Sequence, residues 1–203
     1  QAVSRRGARA AAGALAASWR ALRRVGGPRG EGALVEEADD ALLREQQLHD
    51  ALALLADSGY EGVALTLDVQ HLDPFTSTLD EVEAVRRRAE EFGLSLAVET
   101  GARYVLDPKV KHAPNLLDEE AAGRDRRVDF YARSAKIAAS LGAEVLSIWA
   151  GASLDGLTNE SDDGDRKEAL WERLVEGTRR TLAACSESGV TLCFEPEPGM
   201  FIE

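Results

Sequence analysis

No apolar run in this sequence approaches the roughly 20 residues that a bilayer-spanning helix needs, so no membrane partner is expected. Aromatic residues are scarce, at 5%. Cysteine is limited to Cys185 and Cys193, which lack CxxC spacing and each fall within an apolar pattern. Buried free thiols of a reducing compartment fit them better than a disulfide or a metal site, which points to a cytoplasmic location. Acidic residues are missing from the start of the chain. Arg5, Arg6, Arg9, Arg20, Arg23, Arg24 and Arg29 all precede the first acid, Glu31, while the whole sequence carries a net charge of −12. The remainder of the chain is therefore more acidic than the total implies. Such a body lacks the clustered Lys and Arg that phosphate backbones require, and no nucleic-acid partner is expected.

What is present is enough apolar material for one sizeable core: 44% of 203 residues. Residues 1–32 stand apart, rich in Ala, Arg and Gly and closing on Gly26-Gly27-Pro28-Arg29-Gly30. Three readings compete for them: an organelle transit peptide, a disordered or weakly helical extension, and translation of misassigned GC-rich DNA. The domain proper is assigned to 33–203.

From residue 38 one construction repeats: a helical pattern, a glycine, a short apolar strand, a polar loop. The strands are read at 62–68, 95–100, 144–149 and 190–195, apolar through their middles as buried parallel strands are. Gly59, Gly93, Gly142 and Gly189 stand where helix C-caps belong. Leu48, Ala51, Leu52 and Leu55 show helical spacing, as do Val128, Tyr131, Ala135 and Ala138, and also Leu170, Leu174, Thr178, Leu182 and Cys185. Asp80, Asp125 and Asp165 are the expected N-caps. Alternating helices and strands give an α/β fold with a parallel sheet. Helix-to-strand connections are short, whereas those leaving the strands (69–78, 100–125 and 150–166) are long. Function is therefore expected at the strand C-termini, in a barrel or in an open sheet alike. Asp68, Glu99 and Glu195 close strands and Glu197 comes directly after. Converging carboxylates repel unless a cation or a hydroxyl array sits among them, and a hard divalent ion suits oxygen ligands.

Three segments together resemble the xylose isomerase-like TIM barrels: Val63-Ala-Leu-Thr-Leu-Asp68 with His71-Leu-Asp-Pro74, Val98-Glu-Thr-Gly-Ala-Arg103, and Phe194-Glu-Pro-Glu-Pro-Gly199. That superfamily holds sugar phosphate isomerases and epimerases, ketose 3-epimerases and endonuclease IV-like enzymes. The resemblance covers about 38–203 and implies an incomplete (β/α)8 barrel holding strands two to five. It implies a divalent-metal enzyme (Mn, Mg, Zn or Co) acting on a sugar or sugar phosphate, with Glu195 as metal ligand and acid/base and the other ligands on later strands. A half barrel with unpaired strand edges is expected to fold poorly, to associate with itself as a homo-oligomer, or to lack activity alone.

Each candidate carries a plainer alternative. Glu195 is read as a ligand over a solvated strand-end carboxylate. Glu197 acts chemically, or orients a loop whose flanking prolines lack amide donors. Glu99 contacts a substrate hydroxyl, or pairs with Arg103. Asp68 and His71 bind substrate, or shape their loop. Trp149 covers a sugar's apolar face, or packs in the core. Lys111 and His112 are read as loop solvation over phosphate contacts, and nothing catalytic is expected of His49. Two other functions compete with the isomerase: a non-catalytic binding or scaffold barrel, and a multi-zinc DNA-repair endonuclease, for which His49, His71 and His112 are too few histidines.

Overall fold

The structure is a computed structural model that describes residues 46–153 and 156–203. The 1–32 extension and the first residues of the 33–203 domain lie outside the described residues. A helix covers 46–57 (α1). It is followed by β1 (Gly62–Thr66), α2 (Leu79–Glu91), β2 (Ser95–Glu99), α3 (Ala121–Ser140), β3 (Val145–Trp149), α4 (Gly164–Cys185) and, after a short 3-10 turn, β4 (Thr191–Glu195). All three strand pairings are parallel, and the spatial order β1-β2-β3-β4 is the chain order. The α/β alternation read from the sequence is thus an incomplete TIM-barrel sheet with helices along one face.

The four strands lie where the apolar runs place them. β1 stops at Thr66 rather than Asp68, because Asp68 and His71 close a tight turn by exchanging two backbone hydrogen bonds, 3.0 and 2.9 Å. Each expected C-cap glycine adopts positive φ: Gly59 at 82°, Gly93 at 67°, Gly142 at 70° and Gly189 at 72°. The expected N-caps are corrected. α2 is capped by Thr78 in a reciprocal box with Glu81, and Asp80 falls in the first turn, beside the positive end of the helix dipole. Asp125 lies inside α3, where it pairs with Arg180 of α4 at 2.5 Å, and Asp165 lies in the first turn of α4, after Asp163.

Strand alternation sorts residues onto two faces. Val63, Leu65, Val98, Leu146 and Ile148 point to the helices and are at most 6% exposed. They meet Leu52, Val82, Val85, Tyr131, Ala135, Ala138 and Leu174 in one apolar cluster. The buried stripe of α4 is Leu170, Leu174, Gly177, Thr181 and Cys185. Thr178 and Leu182, expected in it, sit one position off, and Leu182 is exposed. Gly177 faces inward because it lets Leu116 approach: a methyl there would stand 3.0 Å from Leu116 Cδ2. Cys185 is a buried free thiol, but Cys193 is free and exposed. Its register partner is Ser147, so it points away from the helices, whereas Phe194 pairs with Ile148 on the helix side. No helix among the described residues is long and apolar enough to cross a membrane.

Candidate active site

On the face away from the helices, the strand ends carry polar side chains that reach one another. Thr66 and Glu99 are register partners, and the Thr66 hydroxyl donates to Glu99 Oε2 at 3.0 Å. Glu99 is in turn the partner of Ser147. The Ser147 hydroxyl donates to Glu195 Oε2 at 2.6 Å, and the Trp149 indole Nε1–H donates to the same oxygen at 3.0 Å. Threonine, glutamate, serine and glutamate thus succeed one another across four adjacent strands. Both hydrogen bonds to Glu195 fall on Oε2, which leaves Oε1 for a cation or a substrate.

Burial pushes the Glu99 carboxyl above the ordinary carboxylate range; the Thr66 hydroxyl offsets part of this, and the charges of Glu195 and Glu197 add to it. Arg103 acts the other way, as the smallest of these influences. Among the described residues no salt bridge joins the two, and Arg103 acts on Glu99 only as a charge at a distance.

Glu197 sits in the turn after β4. Its amide donates to Ile202 O at 3.1 Å and its carbonyl accepts from Met200 at 3.0 Å. That turn folds Phe201 back into the core, where it is fully buried, stands edge-on to Trp171 at 5.3 Å, and donates its amide to Gly151 O at 2.9 Å. Glu-Pro-Glu-Pro-Gly is thereby tied to the loop leaving β3.

The loop after β2 contributes more than its composition suggests. His112, read as solvated, is half-buried and its ring lies 5.4 Å from that of Trp149. Its Nδ1 bonds to Gly101 O, and burial lowers its pKa, with Lys111, Arg127 and Arg103 adding to the effect and the Gly101 bond opposing it. Because a carbonyl oxygen can only accept, Nδ1 is the donor in this bond. Gly101 itself lies close against the outer edge of the indole: a methyl there would stand 3.1 Å from Trp149 Cη2. Asp68 and His71 are held in the turn after β1, where Asp68 Oδ1 accepts from the Val69 amide at 2.7 Å. No described contact brings them to Glu195. Thr66, Ser147 and His112 are the members that sequence reasoning misses. Strand parity with Asp68 and Trp149 is the available signal for Thr66 and Ser147.

As for a metal, Glu195 has the chemistry of one oxygen ligand, with Oε1 the oxygen to use. Among the described residues no group of three or more His, Cys, Asp or Glu side chains is arranged to hold an ion. Glu195 by itself makes no metal site; it would fit as one member of a larger set of ligands.

The model of the xylose isomerase-like TIM barrel family matches residues 52–203, three quarters of the sequence. The chain belongs to that family. Solved structures agree on the fold. D-allulose 3-epimerase from Methylomonas sp. superposes with a TM-score of 0.56 at 14% identity, covering 77% of this chain and 48% of that one. D-psicose 3-epimerase from Clostridium cellulolyticum H10, solved with D-tagatose, gives 0.55 at 20% identity, with 76% and 48% covered. The 3-keto-D-glucoside 4-epimerase of E. coli gives 0.55 at 13% identity, with 73% and 51% covered. This family member thus spans about half the length of these sugar epimerases. No curated protein sequence matches it.

Proposed function

We propose that this chain is part of a sugar or sugar-phosphate isomerase or epimerase that moves a proton by carboxylate acid/base chemistry. The observation that carries the reading is the Glu195 carboxylate, fixed at a strand C-terminus by Ser147 and Trp149 with its second oxygen left for a ligand. In such a reaction a C–H next to a carbonyl gives its proton to one carboxylate, and the enediolate takes a proton back from another. Glu195 is one of the two. Its counterpart belongs to residues beyond those described. Glu99, pushed toward its protonated form, hydrogen-bonds a substrate hydroxyl or the enediolate oxygen, and Trp149 covers the sugar's apolar face. Glu197 orients the turn after β4, and Asp68 and His71 contact substrate from the turn after β1.

A divalent cation held partly by Glu195 would supply Lewis-acid polarisation of the carbonyl. The structural relatives are sugar epimerases, which supports the substrate class.

The test is turnover of a panel of ketoses and their phosphates by the complete gene product with Mn²⁺ or Mg²⁺, compared with its Glu195→Gln variant. Turnover abolished in the variant supports the assignment; equal turnover overturns it.

A further inference from the structure

Behind the candidate site, α3 buries a guanidinium that the proposed reaction does not use. Arg127 is 3% exposed, on a buried helix face whose other members are apolar apart from Ser134. It forms no described ion pair. Its donors go to backbone carbonyls of the loop after β2: Nε to Pro114 O at 2.7 Å, Nη2 to His112 O at 2.6 Å, and Nη1 to Thr100 O at 3.4 Å. The guanidinium also lies over the rings of Phe130 and Tyr131, at 5.5 and 5.4 Å. Burying a guanidinium is costly unless its donors are satisfied. Here each guanidinium nitrogen finds a carbonyl in that one loop, at Thr100 where it begins and at His112 and Pro114 in its second half.

The loop so held is strained. Ala102 and His112 adopt φ of 44° and 65°, the left-handed region that is unfavourable for a non-glycine residue. Strain of this kind persists only where the surroundings impose it. The two features it produces both press on Trp149: the His112 ring at 5.4 Å, and Gly101 against the far edge of the indole. From the helix side Tyr131, one turn after Arg127, donates its hydroxyl to Trp149 O at 3.2 Å. Trp149 then presents Nε1–H to Glu195.

We infer that Arg127 is a positioning residue for Glu195, acting through the 100–114 loop, His112 and Trp149. It rests on the proposed function only in the meaning given to Glu195; the mechanical claim stands on the contacts. Arg127 fixes the loop, the loop fixes the indole, and the indole fixes which carboxylate oxygen is left for chemistry.

The test uses the complete gene product labelled with ¹⁵N-tryptophan, with the Trp149 and Trp171 indole resonances assigned by Trp149→Phe and Trp171→Phe. In the wild type the Trp149 indole N–H is bonded to Glu195, and Glu195→Ala gives the shift and solvent-exchange rate of the released N–H. Arg127→Met is expected to move both toward the released values, and Arg127→Lys, which can reach fewer carbonyls, to restore them in part. If Arg127→Met does not fold, His112→Asn decides. Asparagine accepts the left-handed backbone but lacks the ring that contacts Trp149. A released exchange rate in His112→Asn with the Trp171 resonance unmoved supports the inference. A folded Arg127→Met, or in its place His112→Asn, whose Trp149 N–H keeps the wild-type exchange rate overturns it. Because the readout is not turnover, failure of the isomerase assay leaves this result intact.

Discussion

The two faces of this sheet are made by the same strands and obey different rules. On the helix side, Val98, Leu146 and Ile148 are buried at 2% exposure or less, and any well-packed apolar residue of similar volume would serve. On the other side, Thr66, Glu99, Ser147 and Glu195 are half-buried and joined by directional hydrogen bonds, so identity matters more than volume. One face stores stability, and the other carries the proposed chemistry. A residue's parity along its strand decides which.

That contrast can be broken most strongly at Glu195. Glu195→Gln is expected to lower turnover of the complete protein by about 10²–10⁴-fold, the usual contribution of a positioned acid/base. Its urea midpoint should stay near that of the wild type, which separates the effect from folding. The opposite face gives the mirror result. Leu146→Ala removes a fully buried side chain and should cost about 2–5 kcal/mol of unfolding free energy, read by urea denaturation.

Glu99 sharpens the comparison through pH. Its carboxyl is raised in the fold, so between the ordinary glutamate pKa and the raised one the folded state binds more protons than the unfolded state. Stability attributable to Glu99 is then highest below that window and declines as pH rises through it. Unfolding midpoints measured across mildly acidic pH should show this slope, and Glu99→Gln should flatten it.

A smaller effect is expected at Gly101→Ala. Its methyl meets the Trp149 indole at 3.1 Å, and relieving the overlap should cost about 1–3 kcal/mol with a shifted tryptophan emission. Smallest of all, Leu182→Ala on the exposed side of α4 should change stability by about 0.5 kcal/mol or less.

The strands, the parallel sheet and the glycine caps are legible in the sequence because a buried parallel strand has a simple signature: a short apolar run after a glycine. Glu195 is legible because a carboxylate closing such a run has few structural reasons to be there. The side-chain parity of α4 reads one position off, since Leu182 is the more hydrophobic residue and only the approach of Leu116 reveals why Gly177 faces inward. Asp68 reads as a third strand-end carboxylate, and the two-bond turn to His71 carries it past the strand. His112 and Arg127 escape for a shared reason. A loop of 21 residues between β2 and α3 (100–120) has no periodicity to read, so neither the fold-back of His112 onto Trp149 nor the carbonyls that satisfy Arg127 can be seen. An arginine inside the apolar stripe of Val128, Tyr131 and Ala135 is the one signal available.

The agreement between strand order and chain order bears on how the protein is made. Among the described residues each strand pairs with its predecessor and successor alone, so none of these three pairings has to wait for a distant segment to be synthesised. A chain leaving the ribosome from its N-terminal end can add one strand-and-helix unit at a time, with each loop closure spanning only that unit. Glu195 is then the last of the four polar strand-end residues to be delivered. Ser147 and Trp149 are already in place to receive it.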